Sequence, residues 1–318
     1  MALPIFPLSV PYTTGGLRGL TYPVMKTAEF ATTVSEAPNF YETRVQNAIN
    51  PRWHFTQIWN YLKDNPNDVP ALYAPYTDYR IMQGFYANMG GMNQSFLFLD
   101  PTDNSVGPAL QTAGWRAYWQ PIVNAIMVTG GNAWQATTVT GPTSFSQPSF
   151  AGAGPVTDSG VIWTKLGSAS GTYPNPDAQL QIVTDGTYYY SPLQRNFGGQ
   201  FLEDVTDLNT TTAIGGSALA VYADGVLQTG SNYTLMGPGL YTPTGSYMGM
   251  YLRWAITSPV APPTAPVTAQ FNFFFRVSFE TDDLDFENFL NQVWTMGGPD
   301  TRNGAGYLKL KTARPNPL

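Results

Sequence analysis

Residues 269–280 read AQFNFFFRVSFE, and this stretch decides the fold class. Phe271, Phe273, Phe275, Val277 and Phe279 recur at every second position, opposite Asn272, Phe274, Arg276 and Ser278. A period of two sends alternate side chains to opposite faces of a strand, whereas a helix would scatter those five around its circumference. Five large apolar groups on one face need a deep core to cover them. The stretch reads as a central strand of a mainly β protein.

The flanks agree in part. Upstream, ALAVYADGVLQ (218–228) holds two short strands around Asp224-Gly225, a pair suited to the positive φ angles of a tight hairpin. YLRWAIT (251–257) is a further strand. Downstream, the acidic ETDDLDFENFLNQV (280–293) predicts a short helix with Leu284, Phe289 and Leu290 turned inward. The glycine-rich GGPDTRNGAG that follows reads as a loop, since no clear strand precedes it and no helix follows to make a phosphate cradle.

In the N-terminal third, GLTYPVMKTAEFATT (19–33) carries β-formers broken by Pro23, and Tyr41–Gln46 alternates weakly. RWHFTQIWNYL (52–62) sets Trp53, Phe55, Trp59 and Tyr61 on one parity, with Ile58 dissenting, and predicts a strand. KDNPNDVPALYAPY (63–76) is turn chemistry. Residues 77–89 predict a helix capped by Thr77 or Asp78, with Ile81, Phe85 and Met89 on one face and Gly90-Gly91 as its stop. Ser95–Leu99 is a short apolar strand that ends in Asp100-Pro101-Thr102-Asp103, where an Asp before Pro forms a turn.

Residues 104–215 change character: few charges, many Gly, Ser, Thr and Pro, and β-prone bursts at WQPIVNAIMV, GVIWTKLG and LQIVTDGTYYY. The expected fold is mainly β (α+β), a sandwich or barrel domain with one packed helix. Its core unit is expected from 1–105 with 215–295, carrying an inserted β-rich subdomain at 106–214 and an extended tail at 296–318. No repeat of fixed period is visible, which excludes solenoids and propellers.

Composition narrows the chemistry. Charged residues make up 11% of the 318, against the usual quarter, while aromatics reach 14%. So much aromatic surface must be buried, which excludes disorder. The net charge of −6 shows no basic stripe for phosphate binding, so specific nucleic-acid binding is not expected. Cysteine is absent, removing disulfides, thiolate metal sites and thiol nucleophiles. The N-terminal MALPIFPLSV lacks a basic region and is interrupted by prolines, so no secretory signal is expected, and no apolar run is long enough to insert in a membrane.

Each candidate for chemistry has a plain structural reading. His54 between Trp53 and Phe55 reads as a packed or hydrogen-bonded residue. The acids Glu280, Asp282, Asp283, Asp285 and Glu287 suggest a cation site in composition alone, without the glycine an EF-hand loop requires. Asp100 with Asp103, and Glu203 with Asp204, offer carboxylate pairs of the kind glycoside hydrolysis uses. Turn and capping roles explain all four. Tyr188-Tyr189-Tyr190 reads as sheet packing before sugar stacking. No catalytic residue, cofactor or metal is expected.

Two blocks carry a family resemblance. One is YETRVQNAINPRWHFTQIWNYLKD (41–64) with GFYANMGGMNQSFLFLDPTD (84–103); the other is VYADGV (221–226) with QFNFFFRVSFETDDLDF (270–286). The layout resembles the distal tail protein family of long-tailed phages and gene transfer agents, over roughly residues 20–105 and 215–290. The matching positions are Arg44, Trp53 to Trp59, Phe85 to Gly91, Phe96 and Phe98 through Asp100 to Asp103, and Arg276 to Asp282. The resemblance implies a tail-tube-like domain forming a ring, usually a hexamer, at the tip of a virion tail. Its implied partners are the tail tube protein, the tape-measure protein and the tail hub protein, and its implied site of assembly is the host cytoplasm. Six copies would carry about −36, repelling DNA that passes through the ring. The alternatives are a tail module that binds a host surface glycan or receptor, and a glycan-degrading tail enzyme.

Overall fold

A computed structural model describes residues 3–7, 20–36, 38, 40–48, 50–65, 76–107, 110–111, 114–121, 123, 125–168, 173–174, 178–184, 186–197, 201–223, 226–238, 249–254, 267–290, 293–297 and 306–313. The protein is mainly β, with antiparallel sheets and one α-helix among these residues. Its backbone divides into two compact units, Met1–Thr102 with Phe274–Arg314, and Asp103–Phe273 with Pro315–Leu318.

The first unit is built on β1 (Leu20–Glu29), β2 (Thr32–Glu36), β3 (Glu42–Gln46), β4 (Arg52–Asn65), α1 (Asp78–Met89) and β5 (Phe96–Phe98). Later in the chain come β6 (Val267–Phe279), whose last six residues lie in this unit, then β7 (Asp285–Leu290), β8 (Val293–Gly297) and β9 (Gly306–Thr312). β4 pairs antiparallel with β1, β8 and β9, while β6 pairs with β5 and β9. Pro23 lies in the register shift between Thr21 and Met25 of β1, where a residue without an N–H does least harm to the ladder.

Alternation sorts the faces of β4. Phe55, Gln57 and Trp59 are fully buried, whereas Arg52 is exposed and His54 and Thr56 are half-buried. At the β8 register shift, Trp294↔Leu62 is followed by Met296↔Trp59, so β4 carries one extra residue. That bulge moves the buried position from odd Trp59 to even Leu62. Ile58 and Tyr61 lie in the strand, their side chains outside those described.

The core is aromatic. Phe6, Phe55, Phe96 and Phe98 have no exposed surface, and Phe279 has 1%. Phe6 reaches it because residues 4–6 line up beside β5, with Leu97 N–H donating to the Pro4 carbonyl (2.8 Å) and Phe6 N–H to that of Leu97 (2.7 Å). Phe85 of α1 meets Phe6, Phe96 and Phe279 edge-on. The helix buries Asp78, Met82 and Met89, with Ile81 and Phe85 half-covered, and stops at Gly90 in the left-handed region.

Two expectations are corrected here. The acidic segment 280–293 is no helix: β7 and β8 form a hairpin, with Asp285↔Gly297 and Glu287↔Thr295 in register. Tyr79 of α1 stacks on Trp294 (4.2 Å, 10°) and meets Phe286 edge-on, a tertiary contact that rewards the extended form over local helix propensity. Nor do residues 306–312 trail away. They form β9, which pairs with both β4 and β6 and buries Leu308 and Leu310. The glycine-rich segment thus joins two strands; residues 66–75, 224–225 and 298–305 lie outside the described ones.

The second unit begins earlier and ends later than the expected insertion, because the first seven residues of β6 pair within it, with Ala220–Ala223 and with Ser105–Val106. Its four-stranded sheet orders Val156–Asp158, Val161–Ser168, Asn132–Val139 and Ile126–Thr129, over a core of Trp119, Met127, Trp134, Phe150 and Trp163. A second sheet orders Val183–Thr184, Tyr189–Pro192, Tyr251–Trp254 and Tyr233–Met236. There Tyr190 packs on Tyr251, as the packing reading of that tyrosine run expects. Gly160 crosses Gly141 so closely that a Cβ would fall 2.4 Å from the Gly141 Cα.

Phe98→Ala should lower stability by about 3–5 kcal/mol, the usual cost of emptying a large core position. A drop in the urea midpoint at unchanged slope would register it; an unchanged midpoint would place Phe98 outside the cooperative core.

Candidate assembly surface

The strongest departure from a closed globular surface is the β2–β3 ribbon. Its strands pair from Thr32↔Gln46 to Glu36↔Glu42, and all ten residues are exposed. Both faces of the ribbon therefore present exposed residues. Five residues per strand reach about 17 Å. Val34 and Val45 are 54% and 52% exposed, Phe40 and Tyr41 at the tip 85% and 74%, and Phe30 at the root 52%. Phe40 holds φ at 65°, a left-handed conformation costly for a bulky side chain. Glu36 faces Glu42 across the ribbon, and Arg44 binds Glu42 through Nε (2.9 Å).

At the root lies a polar cleft of about 470 Å³ lined by Glu29, Asn50, Arg52, Ser278, Lys311 and Thr312 among others. His54 sits beside it, its Nε2 2.9 Å from Glu29 Oε2 and its Nδ1 3.4 Å from Glu280 Oε1. The hydrogen bond between His54 and Glu29 holds the Glu29 carboxyl below its ordinary 4.5; burial opposes this, and electrostatic attraction to His54, Arg52 and Lys311 reinforces it. His54 therefore ties β1 to the end of β6, a structural role.

The other expected residues divide by unit. Phe85, Phe96 and Phe98 come together in the core, and Trp59 is buried with its indole N–H unpartnered. Trp53 joins a cluster the sequence did not single out: Lys26 Nζ lies 4.8 Å from the Trp53 ring, 4.6 Å from that of Phe275, and 3.2 Å from Asp100 Oδ2. Asp100 is 1% exposed and also accepts from the Thr102 N–H and hydroxyl, the expected turn. Asp282 accepts from Met92 N–H (2.9 Å), and Gly91 must stay a glycine there, since a Cβ would sit 2.6 Å from Asp282 Oδ1. Arg276 is half-buried opposite Leu97. Arg44 stands apart on the ribbon, 69% exposed, not at a buried pair.

Asp103 belongs to the second unit, where Arg195 donates to both Asp103 and Glu203. The Arg195 side chain is 6% exposed and its guanidinium lies 5.1 Å from the Phe273 ring centroid. Asp204 accepts from Gln194 Nε2 (2.8 Å). One buried guanidinium thus binds two carboxylates in common. Gly198-Gly199 is a turn signal in the sequence, but a two-residue loop there would set Arg195 opposite Leu202, whereas its partner is Glu203.

Among the described residues no cluster of His, Cys, Asp or Glu is placed to hold a metal ion, and no helix is long and apolar enough to cross a membrane. Compared with known families and with curated proteins, the chain matches none.

Glu29→Gln should destabilise the chain near neutral pH but not in acid. A carboxyl with a lowered folded pKa contributes stability above its unfolded value, and that contribution is lost as pH falls through the folded one. The difference in Tm between the two proteins should be present at about pH 6 and shrink as pH falls below the ordinary carboxylate range. Arg195→Met should cost about 3–5 kcal/mol, because it strands two carboxylates; a denaturation midpoint within error of the parent would contradict this.

Proposed function

We propose that this chain is a structural virion protein that forms a ring at the distal end of a phage tail, joining the tail tube to the hub and host-recognition parts. The observation that carries the reading is the ribbon of β2 and β3. A two-stranded ribbon exposed on both faces is marginally stable in water. Valines and an aromatic tip exposed on it gain their free energy when a neighbouring copy covers them. An arm on one surface that docks on a different surface of the next copy is a head-to-tail contact, and such contacts close into rings when the rotation permits.

Composition supports the same reading. A chain with 11% charge and 14% aromatics has apolar surface to spare for large permanent interfaces. The resemblance of residues 41–64, 84–103 and 270–286 to distal tail proteins supplies the place: a homohexamer at the tail tip, in contact with the tube, tape-measure and hub proteins. In this reading the chain performs no catalysis. Its carboxylates Asp100, Asp103, Glu203 and Asp204 serve a turn, ion pairs and a hydrogen bond to Gln194.

Light scattering and negative-stain class averages of the purified chain test this. The expected result is a six-fold ring with a central hole that reverts to folded monomer in the triple variant Val34→Asp, Phe40→Ser, Tyr41→Ser. A closed trimer without a channel, or rings indifferent to these substitutions, would overturn the reading.

A further inference from the structure

The two ends of the β2–β3 ribbon carry different chemistry. At the root, Ala31 and Ala48 flank the strands and line the polar cleft together with Glu29, Arg52, Ser278 and Lys311. Its volume of about 470 Å³ falls within the roughly 300–1,000 Å³ of sites that enclose a small ligand, which is room for side chains of another chain. At the tip stand Glu36, Pro38, Phe40 and Glu42, all exposed. Five residues per strand, about 17 Å, separate the two ends.

Each end also holds a charge without a partner. Lys311 is half-buried and forms no ion pair among the described residues. Glu29, the carboxylate that lines the cleft, is held instead by His54 (2.9 Å), with Arg52 at 3.9 Å. Ser278 is 7% exposed, lines the same cleft, and its hydroxyl has no hydrogen-bond partner among the described residues. At the tip, Glu36 faces Glu42 directly across the ribbon, and like charges so placed repel. Arg44 binds Glu42, which leaves Glu36 without an ion pair among the described residues. Opposite charges held about 17 Å apart, beyond a screening length of about 8 Å, do not satisfy each other within one copy.

We propose that the ribbon tip of one copy seats in the root cleft of the next, with Glu36 meeting Lys311 and Arg52 while Phe40 covers Ala31 and Ala48. The inference rests on the ring reading above and names the surface that receives the arm. Donor and acceptor are different patches of one chain, so the contact is head-to-tail and repeats from copy to copy. Water leaves the cleft on docking, which strengthens the ion pair, and the Ser278 hydroxyl has a hydrogen bond to donate to Glu36. Phe40, 85% exposed in the single copy, supplies the apolar burial. Glu29 in the cleft argues against nucleic acid, whose successive phosphates would meet it. A small anion would use the two cations but leave the aromatic tip in water.

The chain has no cysteine, so introduced ones report on this contact alone. Pro38→Cys at the tip and Ala31→Cys at the root lie too far apart to bridge within a copy, since a disulfide needs Cα atoms about 4.4–6.8 Å apart. Under mild oxidation the full-length double variant should give a ladder of covalent oligomers that runs past the dimer. Adding Lys311→Glu should lower cross-linking and self-association about tenfold or more, and adding Glu36→Lys to it should restore both. Urea midpoints show that each variant is folded; where Lys311→Glu lowers its midpoint, Lys311→Gln takes its place with the same direction of effect. A ladder that ends at the dimer, the mark of a two-fold exchange of arms, would overturn the proposal. So would charge variants without effect, or stabilisation by phosphate or citrate with no cross-linking. Light scattering separates this contact from the ring reading. Six-fold rings without cross-links overturn the contact and leave the ring, a ladder that grows into open filaments supports the contact and overturns the ring, and a monomer that never cross-links overturns both.

Discussion

Covering the apolar face of β6 is the constraint on which the rest of the structure depends. From Val267 to Phe279 every odd residue is at most 7% exposed, and each large side chain so buried stabilises the fold by about 1.5–3 kcal/mol. In the first unit Phe55 packs on Phe275 and Phe96 on Phe279, with Phe98, Phe6 and Phe85 closing the remaining gaps. In the second, Val221 is buried with Phe271 and Phe273, on a strand that pairs with β6 from Ala220↔Gln270 to Ala223↔Val267. Aromatic rings tolerate tilted and edge-on contacts, so several strands of irregular register can share one core.

Charge is scarce; two buried clusters pair it, and Asp158 is held by hydrogen bonds from Trp115 and Ser144. Lys26 with Asp100 and Arg195 with Asp103 and Glu203 each place a cation against aromatic rings as well as carboxylates. Both arrangements stabilise a charge that burial would otherwise penalise by several kcal/mol. Gln57 is the exception: it is fully buried on the aromatic face of β4 with both amide atoms unpartnered, at about 1–3 kcal/mol for each group. Leu308 lies directly opposite and offers it nothing polar.

Set against those cores, the ribbon of β2 and β3 leaves two valines and an aromatic tip in water.

Local pattern was enough for much of this. The alternation at 269–280 and 52–59, the helix from Asp78 to its Gly90 stop, the turn at Asp100 and the hairpin across residues 220–227 could all be read directly, because their periodicity and turn chemistry act over a few residues. The β7–β8 hairpin, the pairing of β9 and the Lys26 and Arg195 clusters could not, since each depends on partners far along the chain: Tyr79 with Trp294, Gly306–Lys311 with β4, Lys26 with Asp100 and Phe275. The same holds for the candidate sites. Composition alone determined that the chain is poor in charge, rich in aromatics and without cysteine. Which aromatics stay in water was decided by the tertiary structure, because exposure is a property of what packs against a residue and not of the residue itself.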